Sequence, residues 1–357
     1  MSQLAFNNLS KAFGSFKVFD NLTLSAEAGE IVVIFGGSGT GKTFLLRLIA
    51  GVEEPTTGTI EIGGRDVTEV PPERRNVGMA FQNFALFPHM SARDNIASPL
   101  RAAHANEKAV ETGVGRVAKL LKIDHVLGHA PRELSNGQKQ RTALARALAA
   151  EPRILLLDDP LRNVDAKLRF EMRLELPRLL RQSGATVLYV TQDYKEAMAL
   201  ADRIAVLAEG RFVQVGTPED IYMRPATLNV AKLFGDPSIN TIETNVSPDG
   251  TSVDLRGTNI AIQNTASLAG RDVIFGVRPE AITINRGQTG LPATVIAVTP
   301  LNERVVLLLQ SKGGWEFLAS LPSAAVQVPG PDTEVSVSFE AGGTHLFDCA
   351  TGERLHG

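Results

Sequence analysis

Eight residues, Gly36-Gly37-Ser38-Gly39-Thr40-Gly41-Lys42-Thr43, constrain this chain more than any other stretch. They fit the pattern G-x-x-x-x-G-K-[ST], in which glycines let backbone N–H groups curl around phosphate oxygens. The flanks supply the context that the pattern requires. Before it, Ile31-Val32-Val33-Ile34-Phe35 is a short apolar, β-branched run of the kind that forms a buried strand. After it, Phe44-Leu45-Leu46-Arg47-Leu48-Ile49-Ala50 spaces apolar residues as a helix does and stops at Gly51. Strand, glycine loop and helix predict a phosphate site at a helix N-terminus, where peptide dipoles favour an anion. There Gly36, Gly37, Ser38, Gly39, Thr40 and Gly41 would cradle the phosphates of a nucleotide. Lys42 would reach the β and γ phosphates, and the Thr43 hydroxyl would hold Mg²⁺. Without those flanks the same residues would read as a glycine-rich turn with a surface lysine.

A second landmark is Arg153-Ile154-Leu155-Leu156-Leu157, an apolar strand ending in Asp158-Asp159. An acid at the carboxyl end of a core strand beside a phosphate loop can hold Mg²⁺, which assigns that task to Asp158. Asp159 is then placed to orient or deprotonate an attacking water. Standing alone, the two acids would only end a strand or cap the next helix. The third landmark is Leu134-Ser135-Asn136-Gly137-Gln138, followed by the helical pattern of Lys139 to Arg146. Ser135 is a good N-cap, and the helix that it opens aims N–H groups forward.

Taken in order, residues 4–10 and 18–24 read as two strands, and Thr59 to Ile62 and Val77 to Phe81 as two more. From Ser91 to about Ala150 the pattern turns helical, with candidates at Asp94 to Arg101, Ala109 to Leu121 and Asn136 to Ala149. Strands at Thr186 to Thr191 and Ile204 to Leu207, with a helix over Leu168 to Gln182, complete an α/β layer structure. After about residue 235 short strands separated by Gly, Pro and Asn turns take over, which predicts a second, all-β domain of one or two small barrels. The domains are therefore expected at 1–235, with a helical subdomain near 88–150, and at 236–357. A net charge of −3 gives no electrostatic footprint for nucleic acid. The lone cysteine, Cys349, excludes an internal disulfide and fits a reducing compartment. The N-terminal residues lack the basic and apolar stretches of a signal peptide, and no apolar run is long enough to span a bilayer.

Together, the phosphate loop, the Asp158 strand and the Ser135 motif resemble ABC (ATP-binding-cassette) ATPases, whose signature motif is usually Leu-Ser-Gly-Gly-Gln. The resemblance implies a phosphate-loop NTPase with a RecA-like core and a helical subdomain. It implies that Phe13 stacks on adenine, and that Gln82 belongs to a glutamine loop facing both Mg²⁺ and transmembrane subunits. Phe84 to Ser91 resembles the surface that receives those subunits, and Asn163-Val164-Asp165 matches the D-loop. Gly276-Val277-Arg278-Pro279-Glu280 and His345-Leu346-Phe347-Asp348 resemble the C-terminal OB-type regulatory domain of carbohydrate importer ATPases of the maltose and glycerol-phosphate kind. Two such ATPases pair head to tail, so Ser135, Asn136, Gly137 and Gln138 would face the partner's ATP. The implied setting is the cytoplasmic face of the inner membrane, beneath two transmembrane permease subunits fed by a solute-binding protein.

Four positions depart from the family pattern. The catalytic glutamate is Asp159, whose carboxylate falls short by roughly 1.5 Å. The switch histidine is Gln192, which can donate a hydrogen bond but cannot carry charge or shuttle a proton near neutral pH. Asn136 replaces a glycine, and asparagine tolerates positive φ better than most residues. Arg162 stands where the D-loop usually has serine. Binding elements are kept and hydrolysis elements are altered, which is the expected pattern for the weaker member of an asymmetric ATPase pair. An ordinary homodimer in which Asp159 and Gln192 suffice is the first alternative. A soluble ABC protein of translation or DNA repair is the second, and the acidic balance and C-terminal domain count against it.

Overall fold

The computed structural model describes residues 2–262, 266–285, 290–323 and 328–355. The chain falls into two compact units, Met1–Pro218 and Glu219–Gly357. That division precedes the change of texture at 235 because two short helices, Pro218–Met223 and Leu228–Leu233, pack with the β-rich part. The Arg278 guanidinium ties them there by donating to the backbone carbonyls of Ala231, Phe234 and Tyr222.

The first unit runs β1 (Ser2–Phe13), β2 (Phe16–Glu27), β3 (Ile31–Phe35), α1 (Lys42–Ala50), β4 (Thr57–Ile62), β5 (Arg65–Asp66) and β6 (Val77–Ala80). It continues with α2 (Ala92–Ala102), α3 (Glu107–Leu120), α4 (Asn136–Leu148), β7 (Ile154–Asp158) and α5 (Ala166–Ser183). It closes with β8 (Thr186–Thr191), α6 (Tyr194–Leu200), β9 (Arg203–Ala208) and β10 (Arg211–Gly216). Two sheets result. One is antiparallel, in the order β2-β1-β4-β5, and its β1–β2 hairpin is longer than the expected 4–10 and 18–24 strands. The other has six strands in the order β10-β9-β3-β8-β7-β6. It is parallel from β9 to β6, with β10 antiparallel at its edge. Every residue of β3, β7 and β8 is buried, as continuous apolar runs demand in a sheet covered on both faces.

That register positions the site. Phe35 pairs with Thr191 and Asp158 with Val190, so three neighbouring strands end at one level. The phosphate loop, the acidic pair and Gln192 all leave from those carboxyl ends, where open α/β sheets gather their ligands. Helices α2 to α4 begin at residues whose side chains accept from their own first turns: Ser91 from Asp94, Asn106 from Ala109 and Ser135 from Gln138.

In the second unit a four-stranded sheet contains Asn240–Asn245, Asp272–Val277, Thr344–Asp348 and Arg354–Leu355. A five-stranded sheet contains Ile282–Asn285, Glu334–Phe339, Leu291–Pro300, Arg304–Ser311 and Glu316–Pro322. One apolar core serves both, from Ile242, Phe275 and Leu346 in the first to Leu307, Phe317 and Val337 in the second. The β-rich character expected from the turn spacing is present. The sequence pattern predicts one of its short strands over 259–263; Asn259–Ala261 forms, and Gln263 lies outside the described residues.

Candidate functional site

A cavity of about 340 Å³ opens at the carboxyl ends of β3, β7 and β8. Ser38, Gly39, Gly41, Lys42, Thr43, Gln82, Asp158, Asp159 and Gln192 all line it. The fold thus gathers in one place residues that lie far apart in sequence. Phe44, Arg47, Arg162 and Val190 complete the lining. The loop itself needs two of its glycines for steric reasons. At Gly36 a Cβ would sit 2.6 Å from the Leu207 carbonyl oxygen, and Gly41 combines φ of 89° with the Phe19 ring 2.9 Å away.

Lys42 is buried, and its Nζ donates to the carbonyls of Gly36 at 2.8 Å and Gly37 at 2.6 Å. Burial pushes this ammonium below its usual range, while the carboxylates of Asp159 and Asp158 pull it back up. The Thr43 hydroxyl donates to Asp158 Oδ1 at 2.9 Å. Asp158 is raised above the usual carboxylate range by burial, against the opposing Thr43 hydrogen bond and Lys42 charge. Asp159 is likewise raised by burial, against the charge of Arg162, whose guanidinium stands 3.6 Å from its Oδ2. Its backbone adopts φ of 42° and its N–H donates to the Val190 carbonyl at 2.9 Å. Left-handed backbone is uncommon outside glycine and tolerated best by Asn and Asp, so the chain turns sharply where the second acid stands.

Supporting contacts are less visible in sequence. Glu196 on α6 is buried and accepts from the Tyr189 hydroxyl at 2.8 Å and the Thr191 hydroxyl at 3.0 Å, immediately before Gln192. Burial lifts that carboxyl to about 7. Asn163 donates to the Gln82 carbonyl at 3.0 Å, joining the loop after the acidic pair to the loop after β6. Phe13 is exposed and outside the cavity lining, and it meets Phe44, which does line it, edge-on, with centroids 5.7 Å apart and Lys11 Nζ 5.0 Å above the Phe13 ring. Phe44 directly follows Thr43, so its aromatic character was a signal open to sequence reading.

Two expectations need revision. Asn136 is the first residue of α4 and does not use positive φ, so the glycine-like tolerance invoked for it is not called upon. Instead Ser135 and Gln138 form a reciprocal capping box, Gln138 N–H to Ser135 Oγ at 3.3 Å and Ser135 N–H to Gln138 Oε1 at 2.9 Å. The stretch expected to receive transmembrane subunits is only partly open: Phe84 is half-buried, and Arg146 donates to the carbonyls of Phe84 and Ala85. Phe81 and Phe87 are the exposed aromatics there, and they border a larger groove of about 1010 Å³ with Met90, Pro99 and Arg146. That groove is bigger than the phosphate-loop cavity but holds no carboxylate pair and no buried lysine, so the chemistry belongs to the smaller one. Ser135, Asn136, Gly137 and Gln138 lie outside both linings.

Comparison with known proteins follows the same division. Residues 19–162 match the ABC transporter family, 235–282 the MalK OB fold domain and 275–347 the TOBE domain. The sn-glycerol-3-phosphate import ATP-binding protein UgpC 2 of Agrobacterium fabrum is 39% identical, over 99% of this chain and 95% of that protein. The trehalose/maltose import ATP-binding protein MalK of Thermococcus litoralis is 40% identical, over 97% of each. The sulfoquinovosyl glycerol transport ATP-binding protein SmoE of Agrobacterium fabrum is 36% identical over the whole of both chains. Identity at this level from end to end, with the nucleotide fold intact, places the chain in the ABC transporter family, among the ATP-hydrolysing import subunits that carry a C-terminal OB and TOBE module.

Proposed function

We propose that the chain powers uptake of a sugar or glycerol-linked solute, hydrolysing ATP at the cytoplasmic face of the inner membrane beneath two transmembrane permease subunits. The observation that carries this reading is the convergence of Lys42, Thr43, Asp158 and Asp159 on one cavity. The solute class rests on the names of the relatives, which import or transport glycerol phosphate, trehalose and maltose, and sulfoquinovosyl glycerol. A solute-binding protein would deliver it. Phe81, Phe87 and their groove offer the apolar surface that a permease would cover, since exposed aromatics gathered at a groove mark an interaction site. Among the described residues no helix is long and apolar enough to cross a membrane.

Within the cavity the donor set suits Mg²⁺: the Thr43 hydroxyl, the Asp158 carboxylate and the Gln82 amide are hard oxygen ligands, few enough to leave room for phosphate and water. Bound there, Mg²⁺ would neutralise charge on the β and γ phosphates. The protein's own residues do the rest. Lys42 turns its ammonium from the loop carbonyls to the phosphates, backbone N–H groups of the loop hold their oxygens, and Phe13 stacks on the base. Asp159 accepts a proton from, or orients, the attacking water, and Gln192 donates to the γ-phosphate. Ser135, Asn136, Gly137 and Gln138 serve the ATP of the neighbouring ATPase subunit.

We further propose that this chain's own hydrolysis is slow. The Asp159 side chain is one methylene short of a glutamate, and Gln192 is neutral where the family pattern has a histidine. A different ATPase chain with glutamate and histidine at these positions would then supply the faster site. Nothing in the relatives' names speaks for such a partner, so this pairing rests on Asp159 and Gln192 alone. Steady-state ATP turnover by the purified chain tests it. Asp159→Glu with Gln192→His should raise the rate on the order of a hundredfold, the usual effect of correcting about 1 Å in a site. Vigorous turnover by the unmodified chain, with no gain from the double change, leaves the homodimer. Counting distinct ATPase chains by mass in the native complex decides the pairing itself.

A further inference from the structure

Arg162 has no part in the chemistry derived above beyond its contact with Asp159, yet it lines the phosphate cavity. Its backbone is pinned. The N–H donates to the Asp159 carbonyl at 3.2 Å, and its own carbonyl accepts from the Arg169 guanidinium at 3.2 Å. Its side chain is 46% exposed and, among the described residues, makes one ion pair, to Asp159 at 3.6 Å. A fixed base thus carries a movable cation at the mouth of the cavity. The ion pair is long and its arginine half in solvent, a geometry worth little.

Of the other groups at the cavity, Lys42 reaches the phosphates from the loop side, Arg47 lies 3.9 Å from Glu53, and Gln192 is neutral, whereas Arg162 stands beside the acid that meets the attacking water. A terminal phosphate carries more charge than a carboxylate and presents three oxygens to a guanidinium fork, which binds such groups bidentately. We propose that Arg162 is a catalytic residue: ATP draws its guanidinium from Asp159 onto the γ-phosphate held in the same chain's cavity. The exchange does two things at once. It places a cation against the charge that develops on the departing phosphoryl group. It also releases the Asp159 carboxylate to face water only when a γ-phosphate is present. ADP, which lacks that phosphate, leaves Arg162 on Asp159.

This inference rests on the cavity being the ATP site, and the test separates the two. Affinities of the full chain for ADP and for the β,γ-imido analogue of ATP, both with Mg²⁺, are measured by calorimetry for the wild type, Arg162→Ser and Arg162→Lys. Arg162→Ser should weaken the imido analogue about tenfold and leave ADP within about twofold, with Arg162→Lys in between. If the serine variant does not fold, Arg162→Gln keeps the side-chain length without the charge and reads the same ratio. Equal losses for both nucleotides, or no loss for either, overturn the γ-phosphate contact. Faster hydrolysis by Arg162→Ser with unchanged analogue affinity also overturns it, making Arg162 only a brake on Asp159. Failure of the wild type to bind either nucleotide would instead overturn the ATP site itself.

Discussion

The first unit buries Lys42, Asp158, Asp159 and Glu196 around or just behind an open cavity, whereas the second buries Arg278 and His345 inside a β-rich core. In the first unit the charges face one another, and Lys42 is held by loop carbonyls that a phosphate can replace. In the second, Arg278 is enclosed. Three backbone carbonyls receive its donors, and the Tyr222 ring lies 4.1 Å from the centre of the guanidinium. The contrast teaches that burial of charge does not by itself mark a site. Charge beside a cavity, with partners it can exchange, has work to do on a ligand. Charge wrapped in main-chain acceptors holds segments together, as Arg278 holds the helices at Pro218–Met223 and Leu228–Leu233 to the sheet.

The strongest test of that contrast is Arg278→Ala. It would remove the guanidinium that donates to the carbonyls of Ala231, Phe234 and Tyr222, and a buried group that loses its donor costs roughly 1–3 kcal/mol. We expect the second unit to lose about 3–5 kcal/mol, on the scale of removing a buried charged partner, while ATP affinity stays within about twofold. Thermal unfolding followed alongside ATP titration checks both. Loss of ATP binding would break the division of labour.

Lys42→Ala is the converse. It removes the ammonium from the phosphate loop, and hydrogen bonds to charged groups are worth about 1.5–3 kcal/mol, so ATP binding should weaken roughly 10- to 150-fold. The second unit's unfolding should not move. Calorimetric titration of the variant decides the matter, and equal affinity for wild type and variant would remove Lys42 from the site.

The two units also differed in how much could be read beforehand. β3, β7 and β8 are continuous apolar runs, and their alignment follows from burial on both faces, so the phosphate loop, the acids and Gln192 could be placed from pattern alone. β10 could not. It is a half-exposed edge strand, Arg211–Gly216, whose alternation is short and resembles any amphipathic stretch. In the second unit the short helices at Pro218–Met223 and Leu228–Leu233 carry too few turns to show a period, and they attach through residues distant in sequence, Arg278 and Gly352 among them. The pairing of Arg162 with Asp159 was similarly hidden. Three residues apart, the two are ordinary neighbours in sequence, and only the left-handed turn at Asp159 and the fixed backbone after it bring the guanidinium over the cavity. Glu196 was silent for another reason, since a glutamate on a short helix reads as a solvated residue until its burial is seen.

The smallest effect expected is also the one in which the two units pull in opposite directions. Burial lifts Glu196 to about 7, helped by the charges of Asp193 and Asp159 and opposed by the bonds from Tyr189 and Thr191. An unfolded glutamate titrates near ~4.3, so the folded state holds its proton more tightly. That contribution to stability is complete below ~4.3 and is lost as pH rises through 7. Asp158 and Asp159, also raised by burial, act in the same sense. His345 behaves oppositely. It is buried, neither ring nitrogen has a hydrogen-bond partner among the described residues, and burial with the charges of Arg354 and Arg278 lowers it to about 4. An unfolded histidine titrates near ~6.5, so its contribution is complete above ~6.5 and is lost as pH falls through 4. Raising pH from 4.5 to 7 should therefore weaken the first unit and strengthen the second. Each titrating group can contribute at most about 1.4 kcal/mol per pH unit, and the opposed slopes partly cancel in the whole chain. Melting the full chain across this range, with Glu196→Gln and His345→Gln beside it, resolves the two. Glu196→Gln should flatten the slope of the first unit and His345→Gln that of the second. Midpoints that move together in the wild type would show that the two buried groups do not set the pH response of their units.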